Sequence, residues 1–387
     1  MGRKLNIALL TCEYLPKMGG WSTYTFNLAL ALKRRGHNLM ILAPRYPESR
    51  SSANVKELGG LNVIRVFKPP TMKLKRDLYY AFLSLPKVFN LPLSEVDLIH
   101  VTAEYVSGFI GSILSCKKPF IITSYGTYSM PKSLWEKVLL KWIFNRSFKI
   151  IAISEYTARE IVKRVCIDAS KITIIPGGVD TSLFNVTING NIVRGRLNIK
   201  DKPVLLSVGR LVPRKGFEFS LKAFKKVLEK FPSAVYIIIG DGPQREHLHN
   251  LARELGISHS VMFLGSIDRH LLPYYYAACD LFLLTPQRIG DHYEGLGLVY
   301  LEAAACGKPL VGTRTGGASE AIINGINGFI VEPKDIEGIA KAVINLLEDE
   351  NLRRTMGERG YKRIKETLEW DRIAERVEKL YYEALER

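Results

Sequence analysis

The 387-residue sequence lacks any apolar run of the roughly 18 residues that a membrane-spanning helix requires. Its basic N-terminus is followed only by the short apolar stretch IALL, so we expect a buried strand there and no signal peptide. Cysteine is scarce and scattered, without a Cys-x-x-Cys pair, which argues against a disulfide framework and a zinc site. Small buried side chains in a reducing cytoplasm are predicted for Cys12, Cys116, Cys166, Cys279 and Cys306.

Several catalytic and binding signatures are absent as well. There is no D-x-D to hold a divalent metal beside a nucleotide diphosphate, no P-loop and no G-x-S-x-G elbow. The seven histidines, among them His100 and His292, show no metal-ligand spacing, so neither a metal ion nor another cofactor is predicted. Helix-turn-helix, zinc-finger and aromatic RNA-binding signatures are missing, and nucleic acid is not expected as a partner.

Positive charge is abundant but unevenly distributed. Residues 1–185 hold 26 Lys and Arg against 12 Asp and Glu, a balance of +14, whereas residues 186–387 hold 29 against 26. An excess confined to one half indicates that this half meets an anionic membrane surface, an acidic acceptor or nucleic acid. The missing nucleic-acid signatures favour the first two.

Both halves of the chain alternate short apolar runs with stretches of helical period. The first half contains NIALLTCEY, NLMILAP, LNVIRVF, VDLIHVTA, PFIITSYG and FKIIAISE, and the second contains PVLLSVGRL, AVYIIIGDG, VMFLGSI, LFLLTP, PLVGTRTGG and GFIVEP. Such runs are typical of buried parallel strands, and strand–helix alternation predicts a doubly wound parallel sheet in each half. Residues 185–202 are polar and contain glycine, which predicts a linker. We expect a ligand cleft between the two domains.

The segment 294–302, EGLGLVYLE, is the strongest candidate for a ligand site. Gly295 and Gly297 allow a tight backbone before Leu298, where a helix is predicted to begin. The free N–H groups and the positive dipole end at such a helix start suit a phosphate. Glu302 is an acceptor-only group that can take two ribose hydroxyls. The alternative is a capped surface helix whose acids bind nothing.

Other candidates lie directly after predicted strands, where open parallel sheets bind their ligands. Gly19 and Gly20 follow the first strand and precede Ser22, a predicted N-cap, so a phosphate or sugar can approach the backbone closely. Arg210 and Lys215, in GRLVPRKG, are spaced to grip a diphosphate. A simple turn and a solvated basic loop are the respective alternatives.

Two further turns repeat this placement. The strand AVYIIIG ends at Asp241, which begins a turn at the expected cleft. Gly316 and Gly317 follow PLVGTRT and precede Glu320, which is again a loop leading into a helix. Neither turn is specific by itself.

In this order and over essentially the whole chain, the sequence resembles the retaining glycosyltransferases of family 4, which have the GT-B fold. The resemblance is carried by YLPKMGGWSTYTFNLALALKRRGH, IIPGGVDTSLF, SVGRLVPRKGFEFSLKAF, IIIGDGPQREHL, VMFLGSI, EGLGLVYLEAAACGKPLVGTRTGGASE and NGFIVEP. EGLGLVYLEA and LVPRKG resemble most the phosphatidylinositol mannosyltransferase branch. The resemblance implies two Rossmann-like α/β domains facing across a cleft. Residues 1–190 would form the acceptor side and 191–369 the donor side, with a C-terminal helix, 370–387, packing back on the first domain.

The resemblance also implies a role for each candidate residue. Arg210 and Lys215 would hold the donor's diphosphate and neutralise the leaving group, while Glu294 would bind hydroxyls of the donor sugar and Glu302 those of the ribose. No protein nucleophile is needed, because retention in this family is assigned to a front-face mechanism in which the departing phosphate helps take the acceptor's proton. The remaining donor-binding residues would be Gly19, Gly20, Gly209, Asp241, Gly295, Leu296, Gly297 and Leu298.

One candidate residue departs from the family pattern. Many members carry a histidine before glycine in the loop that here reads ITSYGTY, where this chain has Tyr125. A tyrosine hydroxyl can donate a hydrogen bond but is a poor proton acceptor at neutral pH. Tyr125 is therefore a candidate catalytic residue. Its position near the reacting sugar can be inferred from the family pattern, but the role of the family's histidine cannot be assigned to it.

The basic first half has features expected of an acceptor side at a membrane. PPTMKLKRDLYYAFLSLPKVF mixes Lys73, Lys75 and Arg76 with aromatic residues, and KSLWEKVLLKWIFNRSFK places two lysines one helical turn apart near two tryptophans. Both segments suit an interface rich in anionic lipid, which predicts peripheral association with the inner face of the cell membrane. The alternative is ordinary helices that pack on the sheet with basic residues outward.

The sequence therefore predicts a cytoplasmic, metal-independent retaining glycosyltransferase. It would move a hexose from a nucleotide diphosphate to a glycan or lipid-linked acceptor, with GDP-mannose favoured over UDP-glucose or UDP-GlcNAc. A nucleotide-sugar epimerase or a polysaccharide synthase on the same fold is a second reading. A non-catalytic sugar-nucleotide-binding protein is a third, suggested by Tyr125 and opposed by the full set of acidic and basic site residues.

Overall fold

The computed structural model describes residues 3–17, 19–46, 55–69, 71, 73–126 and 130–386. It contains two compact units. Unit 1 comprises Met1–Gly178 and Trp370–Arg387, and unit 2 comprises Val179–Glu369. The chain thus passes from one unit to the other twice, after Gly178 and after Glu369. The sequence predicts the first passage after residue 190, so the structure moves that boundary toward the N-terminus.

Fourteen strands and fourteen helices form within the described residues. The strands are β1 (Asn6–Leu10), β2 (Asn38–Pro44), β3 (Val55–Glu57), β4 (Leu61–Phe67), β5 (Leu98–Val101), β6 (Phe120–Ser124), β7 (Lys149–Ala152), β8 (Ile172–Ile174), β9 (Val204–Val208), β10 (Val235–Ile239), β11 (Val261–Gly265), β12 (Leu281–Leu283), β13 (Leu310–Thr313) and β14 (Gly328–Val331). The helices are α1 (Gly20–Arg34), α2 (Leu74–Phe89), α3 (Val106–Leu114), α4 (Leu134–Arg146), α5 (Glu155–Val165), α6 (Asn191–Arg196), α7 (Phe217–Lys230), α8 (Arg245–Glu254), α9 (Leu272–Ala278), α10 (Leu298–Ala305), α11 (Ala318–Ala321), α12 (Ile336–Glu348), α13 (Glu350–Arg363) and α14 (Trp370–Leu385).

Unit 1 is built on one sheet whose described strands lie in the order β3-β4-β2-β1-β5-β6-β7-β8. All of its neighbouring strands pair in parallel except β3, which is antiparallel to β4 at one edge. The strands β5 and β6 are buried along their whole length, as expected of parallel strands covered by helices on both faces. All six strands predicted in this half are present. The short edge strands β3 and β8 were not predicted.

Unit 2 has a second parallel sheet, with its described strands in the order β11-β10-β9-β12-β13-β14. These are the six strands that the sequence predicts for this half. The central strands β9 and β10, VLLSV and VYIII, are buried throughout. The predicted doubly wound α/β architecture is therefore confirmed in both units.

Each sheet has one point at which the strand order changes direction. In unit 1 this point lies between β1 and β5, and in unit 2 it lies between β9 and β12. Open α/β sheets bind ligands outside the carboxyl ends of the strands at such points. A ligand site is therefore expected at the loops that follow β1 and β5 in unit 1, and at those that follow β9 and β12 in unit 2.

The polar segment 185–202 is part of unit 2 and is not the linker that its composition predicts. Phe184, directly before it, is fully buried against Tyr276 of α9, with ring centroids 5.8 Å apart. Within the segment, Arg194 donates to the carbonyl of Ala278 and pairs with Asp280 at 3.0 Å. Because Phe184 is buried and Arg194 has two partners in the α9–β12 region, these contacts fix the segment to that region, and it is not a free spacer.

The cysteines agree only in part with their prediction. All five are free, and Cys279 and Cys306 are buried as expected. Cys116 and Cys166, however, are exposed. Cys166 ends α5 in the left-handed conformation, and Cys116 follows α3, so both stand at helix ends on the surface. Cys12 is half-buried. The prediction of five buried thiols is therefore wrong at Cys116 and Cys166 and only partly met at Cys12.

The C-terminal helix α14 packs on α1 within unit 1. Its Asp371 pairs with Arg34 at 2.7 Å. Its Glu378 accepts from the Arg35 guanidinium, and one of its oxygens lies 2.8 Å from Nε2 of His37. The last turn of α1 and the residues after it are thus tied to a segment more than 300 positions later in the chain. No helix among the described residues has both the length and the apolar character that crossing a bilayer requires.

His100, on β5, connects the core of unit 1 to α14. Its Nδ1 lies 2.6 Å from the Tyr381 hydroxyl and its Nε2 lies 2.8 Å from Oγ1 of Thr123. Complete burial lowers the pKa of His100 to about 3, since the charged ring would lose its water. The neutral ring can donate through one nitrogen and accept through the other, which satisfies both partners. His100 therefore packs within the core.

This environment predicts a pH-dependent stability of unit 1. The pKa of His100 is depressed in the folded protein relative to its ordinary 6.5, so the unfolded chain binds the proton first and stability falls as the pH drops from 6.5 toward 3. We expect wild type to lose about 1.4 kcal/mol more per pH unit than His100→Asn between about pH 6 and pH 4. Urea unfolding followed by tryptophan fluorescence measures this, because all four tryptophans lie in unit 1. Equal slopes for the two proteins would contradict the prediction.

Candidate active site

Two loops of unit 2 meet beyond the carboxyl ends of β9 and β12. The 3-10 turn Pro213–Lys215 follows β9 and leads into α7 through Gly216, which has a φ of 72°. A Cβ at Gly216 would overlap the carbonyl oxygen of Thr285, so only glycine allows this approach. Thr285 Oγ1 donates to the Gly216 carbonyl at 2.7 Å. The turn is therefore fixed against the segment that leaves β12.

The turn presents two cations to one carboxylate. Lys215 Nζ lies 2.7 Å and Arg214 Nη1 lies 3.2 Å from Oε2 of Glu294. Lys215 and Glu294 are each only 8% exposed. The other oxygen of Glu294, Oε1, accepts no hydrogen bond from the residues that the structure describes. The carboxylate is thus held from one side, and one oxygen remains available to a ligand.

Glu294 is also held through its backbone. The Gly317 N–H donates to the Glu294 carbonyl at 2.8 Å. A Cβ at Gly316 would overlap that same carbonyl, and one at Gly317 would overlap the carbonyl of Gly295. The two glycines after β13 therefore let the 294–297 segment lie directly against the 316–317 turn.

The charges of this cluster depend on one another. Burial alone would raise the pKa of the Glu294 carboxyl, but Lys215 and Arg214 outweigh it and hold that pKa below its usual value. Burial lowers the pKa of Lys215, and Arg214 adds to this effect while Glu294 opposes it. The ionised carboxylate is therefore the form that this environment favours.

Glu302 lies in a separate cluster on α10, which begins after Gly297 at a φ of 78°. Glu302 is 5% exposed, its Oε1 accepts from Arg269 Nη1 at 2.9 Å, and its Oε2 accepts from the Tyr276 hydroxyl at 3.0 Å. Burial and the nearby Glu302 raise the pKa of Tyr276 well above its usual value, so the hydroxyl keeps its proton and donates. A carboxylate offers about four acceptor positions, so about two remain on Glu302.

Arg210 and Asp241 follow the neighbouring strands β9 and β10. The Leu211 N–H donates to the Asp241 carbonyl at 2.9 Å, and Gly209 N–H donates to Ile239, so the two loops run side by side. The Arg210 side chain is exposed and makes no hydrogen bond or ion pair with the described residues. The Asp241 carboxylate pairs with Arg245 at 3.0 Å. A cation is thus available at this loop, whereas the acid already has a partner.

The structure brings some predicted site residues together and leaves others apart. Lys215 and Glu294 form a direct ion pair, while Glu302 belongs to a different cluster. The segment that joins these clusters contains Gly295, the buried Leu296, Gly297 as N-cap of α10 and Leu298 as its first residue. Sequence reasoning missed the partners of the two acids, Arg214, Arg269 and Tyr276. Of these three, only Arg214 could have been suspected from the local sequence, because it is adjacent to Lys215 in the basic turn.

The N-cap of α1 in unit 1 is Gly19, whereas the sequence predicts Ser22 as the cap. The helix starts at Gly20 with Gly19 as its N-cap, and Ser22 lies in its first turn. The Ser22 hydroxyl accepts from the Gly19 N–H at 2.7 Å, so Ser22 binds the cap residue from within the helix and is not the cap itself. A Cβ at Gly19 would overlap the carboxylate of Glu13. Glu13 is a flexible side chain that can move, so this contact alone does not require glycine at position 19.

Tyr125, directly after β6, is enclosed by aromatic rings. Its ring centroid lies 5.9 Å from that of Trp21 and 5.2 Å from that of Tyr24. Its N–H donates to Oε1 of the buried Glu104 at 2.7 Å. Burial raises the pKa of the Tyr125 hydroxyl well above its usual value, and Tyr24 and Glu104 add to the shift. The hydroxyl therefore stays protonated. Residues 127–129 of this loop lie outside the described residues.

In the part of the chain that the structure describes, no group of three or more His, Cys, Asp or Glu side chains is placed to hold a metal ion.

Comparison with known proteins assigns a family to both halves of the chain. The model described as Glycosyltransferase Family 4 matches residues 18–183, and the model described as Glycosyl transferases group 1 matches residues 191–363. The two matches follow each other in one chain and leave little of it uncovered. The protein is a glycosyltransferase of family 4 with the GT-B fold, as the sequence motifs predict.

Individual relatives extend over nearly the whole chain. A GDP-mannose-dependent alpha-(1-6)-phosphatidylinositol monomannoside mannosyltransferase of Mycolicibacterium smegmatis is 28% identical over 364 residues, covering 91% of this chain and 92% of that protein. A glycogen synthase of Mycobacterium tuberculosis is 27% identical over 408 residues, covering 98% and 95%. The structure of a sucrose-phosphate synthase from Thermosynechococcus elongatus has a TM-score of 0.82 at 25% identity, covering 98% and 99%. The resemblance to the phosphatidylinositol mannosyltransferases is confirmed.

The close approach at Gly216 can be tested against a matched glycine. Gly256 has nearly the same φ, 74°, but a Cβ there would meet nothing within 4 Å. We expect Gly256→Ala to cost about 1 kcal/mol of folding free energy, from the positive φ alone. Gly216→Ala should cost about 3 kcal/mol or more, because the methyl group also displaces the Thr285 carbonyl. Chemical denaturation followed by far-ultraviolet circular dichroism compares the two, and equal costs would show that the turn does not depend on this contact.

Proposed function

We propose that this glycosyltransferase transfers a hexose from a nucleotide diphosphate sugar with retention of configuration, and that unit 2 holds the donor. The proposal is carried by one observation: Glu294 and Glu302, eight positions apart, are both ionisable, nearly buried and fixed by cations, yet both keep acceptor positions for hydroxyl groups. Sugar and ribose hydroxyls are donors of the kind such positions accept. Glu294 would bind the sugar and Glu302 the ribose.

The diphosphate would lie between these two carboxylates. Arg210 offers an exposed guanidinium without a partner among the described residues, and Lys215 offers an ammonium from the same loop. The N–H groups at the start of α10, after Gly297, favour negative charge as well. Positive charge placed where the leaving group develops its negative charge lowers the barrier by electrostatic stabilisation. With two cations and a helix start in place, we propose that no metal ion is required.

Proton transfer from the acceptor would not use Tyr125. Its hydroxyl is buried and its pKa lies well above neutrality, so it cannot accept a proton under ordinary conditions. An oxygen of the departing phosphate would take the proton on the same face of the sugar, which is the retaining front-face route. Tyr125 would serve by holding the loop after β6 against Trp21 and Tyr24 of α1. Gly19 and Gly20 at the start of that helix remain proposed donor-binding residues.

The donor proposed here is GDP-mannose. The named activity of the M. smegmatis relative supports this choice, and the resemblance of EGLGLVYLEA and LVPRKG to that branch agrees with it. The match to a glycogen synthase at similar identity keeps UDP-glucose and UDP-GlcNAc as alternative donors and a polysaccharide synthase as an alternative function. A glycan or a lipid-linked sugar would be the acceptor.

Nucleotide binding and turnover test this function together. We expect GDP to raise the melting temperature more than UDP or ADP, and GDP-mannose to be turned over in the presence of EDTA. Lys215→Ala and Glu302→Ala should each reduce turnover by about 100-fold or more, as expected when a transition-state contact is lost. Arg314→Gln, which removes only an exposed pair with Glu332, is the control. An α-linked product from the α-linked donor, identified by NMR, would establish retention.

Two outcomes would contradict parts of this proposal. Near-normal turnover in both Lys215→Ala and Glu302→Ala would refute the assignment of the site. Binding of a nucleotide without turnover of any nucleotide sugar would favour a non-catalytic sugar-nucleotide-binding protein.

Unit 1 carries a surface suited to the proposed membrane partner. Exposed apolar side chains lie on two of its helices: Tyr79, Phe82, Leu83 and Phe89 on α2, and Leu134, Trp135, Val138 and Trp142 on α4. The ammonium of Lys75 on α2 lies 5.8 Å from the ring centroid of Trp135 on α4, so the two sets adjoin. Lys73, Arg76 and Lys141 are exposed on the same helices or at their ends. Exposed aromatic residues among cations are typical of proteins that lie at an anionic membrane. Residues 70 and 72 of this segment lie outside the described residues.

We propose that this α2–α4 surface holds the enzyme on the anionic, cytoplasmic face of a membrane, where a lipid-linked acceptor would lie. Wild type should cosediment with phosphatidylglycerol vesicles at low salt and not with phosphatidylcholine vesicles. Reversing the charge of both Lys75 and Arg76 to Glu should weaken binding about tenfold or more, since each basic residue near the surface contributes about 1 kcal/mol. The control is Lys341→Glu, an exposed lysine on α12 of unit 2. Failure of wild type to bind the anionic vesicles at low salt would refute the proposal.

A further inference from the structure

Each site carboxylate is held by an arginine that lies outside the segment 294–302. Arg214 reaches Oε2 of Glu294 at 3.2 Å, and Arg269 reaches Oε1 of Glu302 at 2.9 Å. Their side chains are 23% and 22% exposed, so each guanidinium is largely enclosed at its carboxylate. The two clusters share no residue. The sugar end and the nucleoside end of the proposed site therefore rest on separate supports.

Arg214 gives Glu294 a second cationic partner besides Lys215. The lysine ammonium is a compact charge, and in the proposed mechanism it also has to face the diphosphate. Because Arg214 binds the same Oε2, Glu294 keeps a cationic partner when the charge of Lys215 is shared with a phosphate. The Gln287 N–H donates to the Arg214 carbonyl at 2.7 Å and fixes the backbone from which the guanidinium extends. A carboxylate this deeply buried would otherwise reorient or take up a proton.

Glu302 is fixed by a different arrangement. Arg269 binds one of its oxygens and Tyr276 binds the other, so the plane of the carboxylate is set from both sides. Arg269 lies over the ring of Phe184, with its guanidinium carbon 5.1 Å from the centroid, and Phe184 contacts Tyr276 in turn. The orientation of Glu302 is thus determined by α9 and the segment before it, independently of the turn that carries Arg214.

We infer that Arg214 and Arg269 are positioning residues that separately preset the two ends of the donor site. Arg214 orients Glu294 toward the sugar, and Arg269, with Tyr276, orients Glu302 toward the ribose. This inference rests on the proposed function. It predicts that the two arginines differ in which part of the donor they help to bind, although neither touches the donor itself.

The test compares a nucleotide with its nucleotide sugar. Dissociation constants of GDP and GDP-mannose, or of UDP and UDP-glucose if wild type prefers that pair, are measured by calorimetry for Arg214→Gln and Arg269→Gln. Arg214→Gln should weaken the nucleotide sugar about tenfold and change the affinity for the nucleotide less than about twofold, since only the sugar end loses a charged hydrogen bond. Arg269→Gln should weaken both ligands equally, by about tenfold, because both contain the ribose.

Conservative variants and a control separate positioning from general damage. Arg214→Lys keeps the charge and should recover part of the sugar affinity. Tyr276→Phe keeps the ring and should weaken both ligands, like Arg269→Gln. If the glutamine variants do not fold, Arg214→Lys and Tyr276→Phe provide the test in their place. Arg314→Gln, on a surface pair, should change neither affinity.

The outcomes distinguish this inference from the proposed function. Equal losses of nucleotide and nucleotide sugar in Arg214→Gln would overturn the separate roles, and so would unchanged affinities in either glutamine variant. Failure of wild type to bind any of these nucleotides or nucleotide sugars would overturn the proposed donor site instead.

Discussion

The buried ion pair between Lys215 and Glu294 is the interaction on which the proposed donor site depends. Burying either charge without the other would be strongly unfavourable, so the pair exists only because two loops bring its members together within the sheet's own framework. Gly216 lets one loop press against Thr285, and Gly316 lets the other press against the Glu294 carbonyl. The glycines in these motifs thus allow the close backbone packing that brings Lys215 and Glu294 together. The proposed binding of the donor depends on this ion pair.

Charge has different tasks in the two units. In unit 2, Lys215 is matched to the buried Glu294 and Arg269 to the buried Glu302. In unit 1, the excess is spread over exposed helices, where it adjoins apolar rings such as Trp135. Ion-paired side chains are held in fixed positions and can orient a small ligand. Basic side chains in excess over acidic ones attract an extended anionic surface.

The sequence predicts most of the fold because buried parallel strands appear as continuous apolar runs. All twelve predicted strands form. Among the described residues, the two strands that the sequence does not predict are β3 and β8, which have three residues each and lie at the two edges of the sheet in unit 1. The partners of the site acids could not be predicted in the same way. Arg214 lies 80 positions from Glu294 and Arg269 lies 33 from Glu302, so their pairing depends on the tertiary fold. The polar composition of 185–202 also led to a wrong prediction of a linker, because the contacts of Arg194 with Ala278 and Asp280 are tertiary and leave no local pattern in the sequence.

The return of α14 to unit 1 has a consequence for the order in which the molecule is completed during synthesis. Unit 2 is one continuous stretch and has all of its residues once Glu369 has been made. The first segment of unit 1 precedes unit 2, but Tyr381, Glu378 and Asp371, which anchor α14 to its sheet and to α1, emerge only after all of unit 2. Of these two units, the one whose synthesis begins earlier is therefore the one that is completed later.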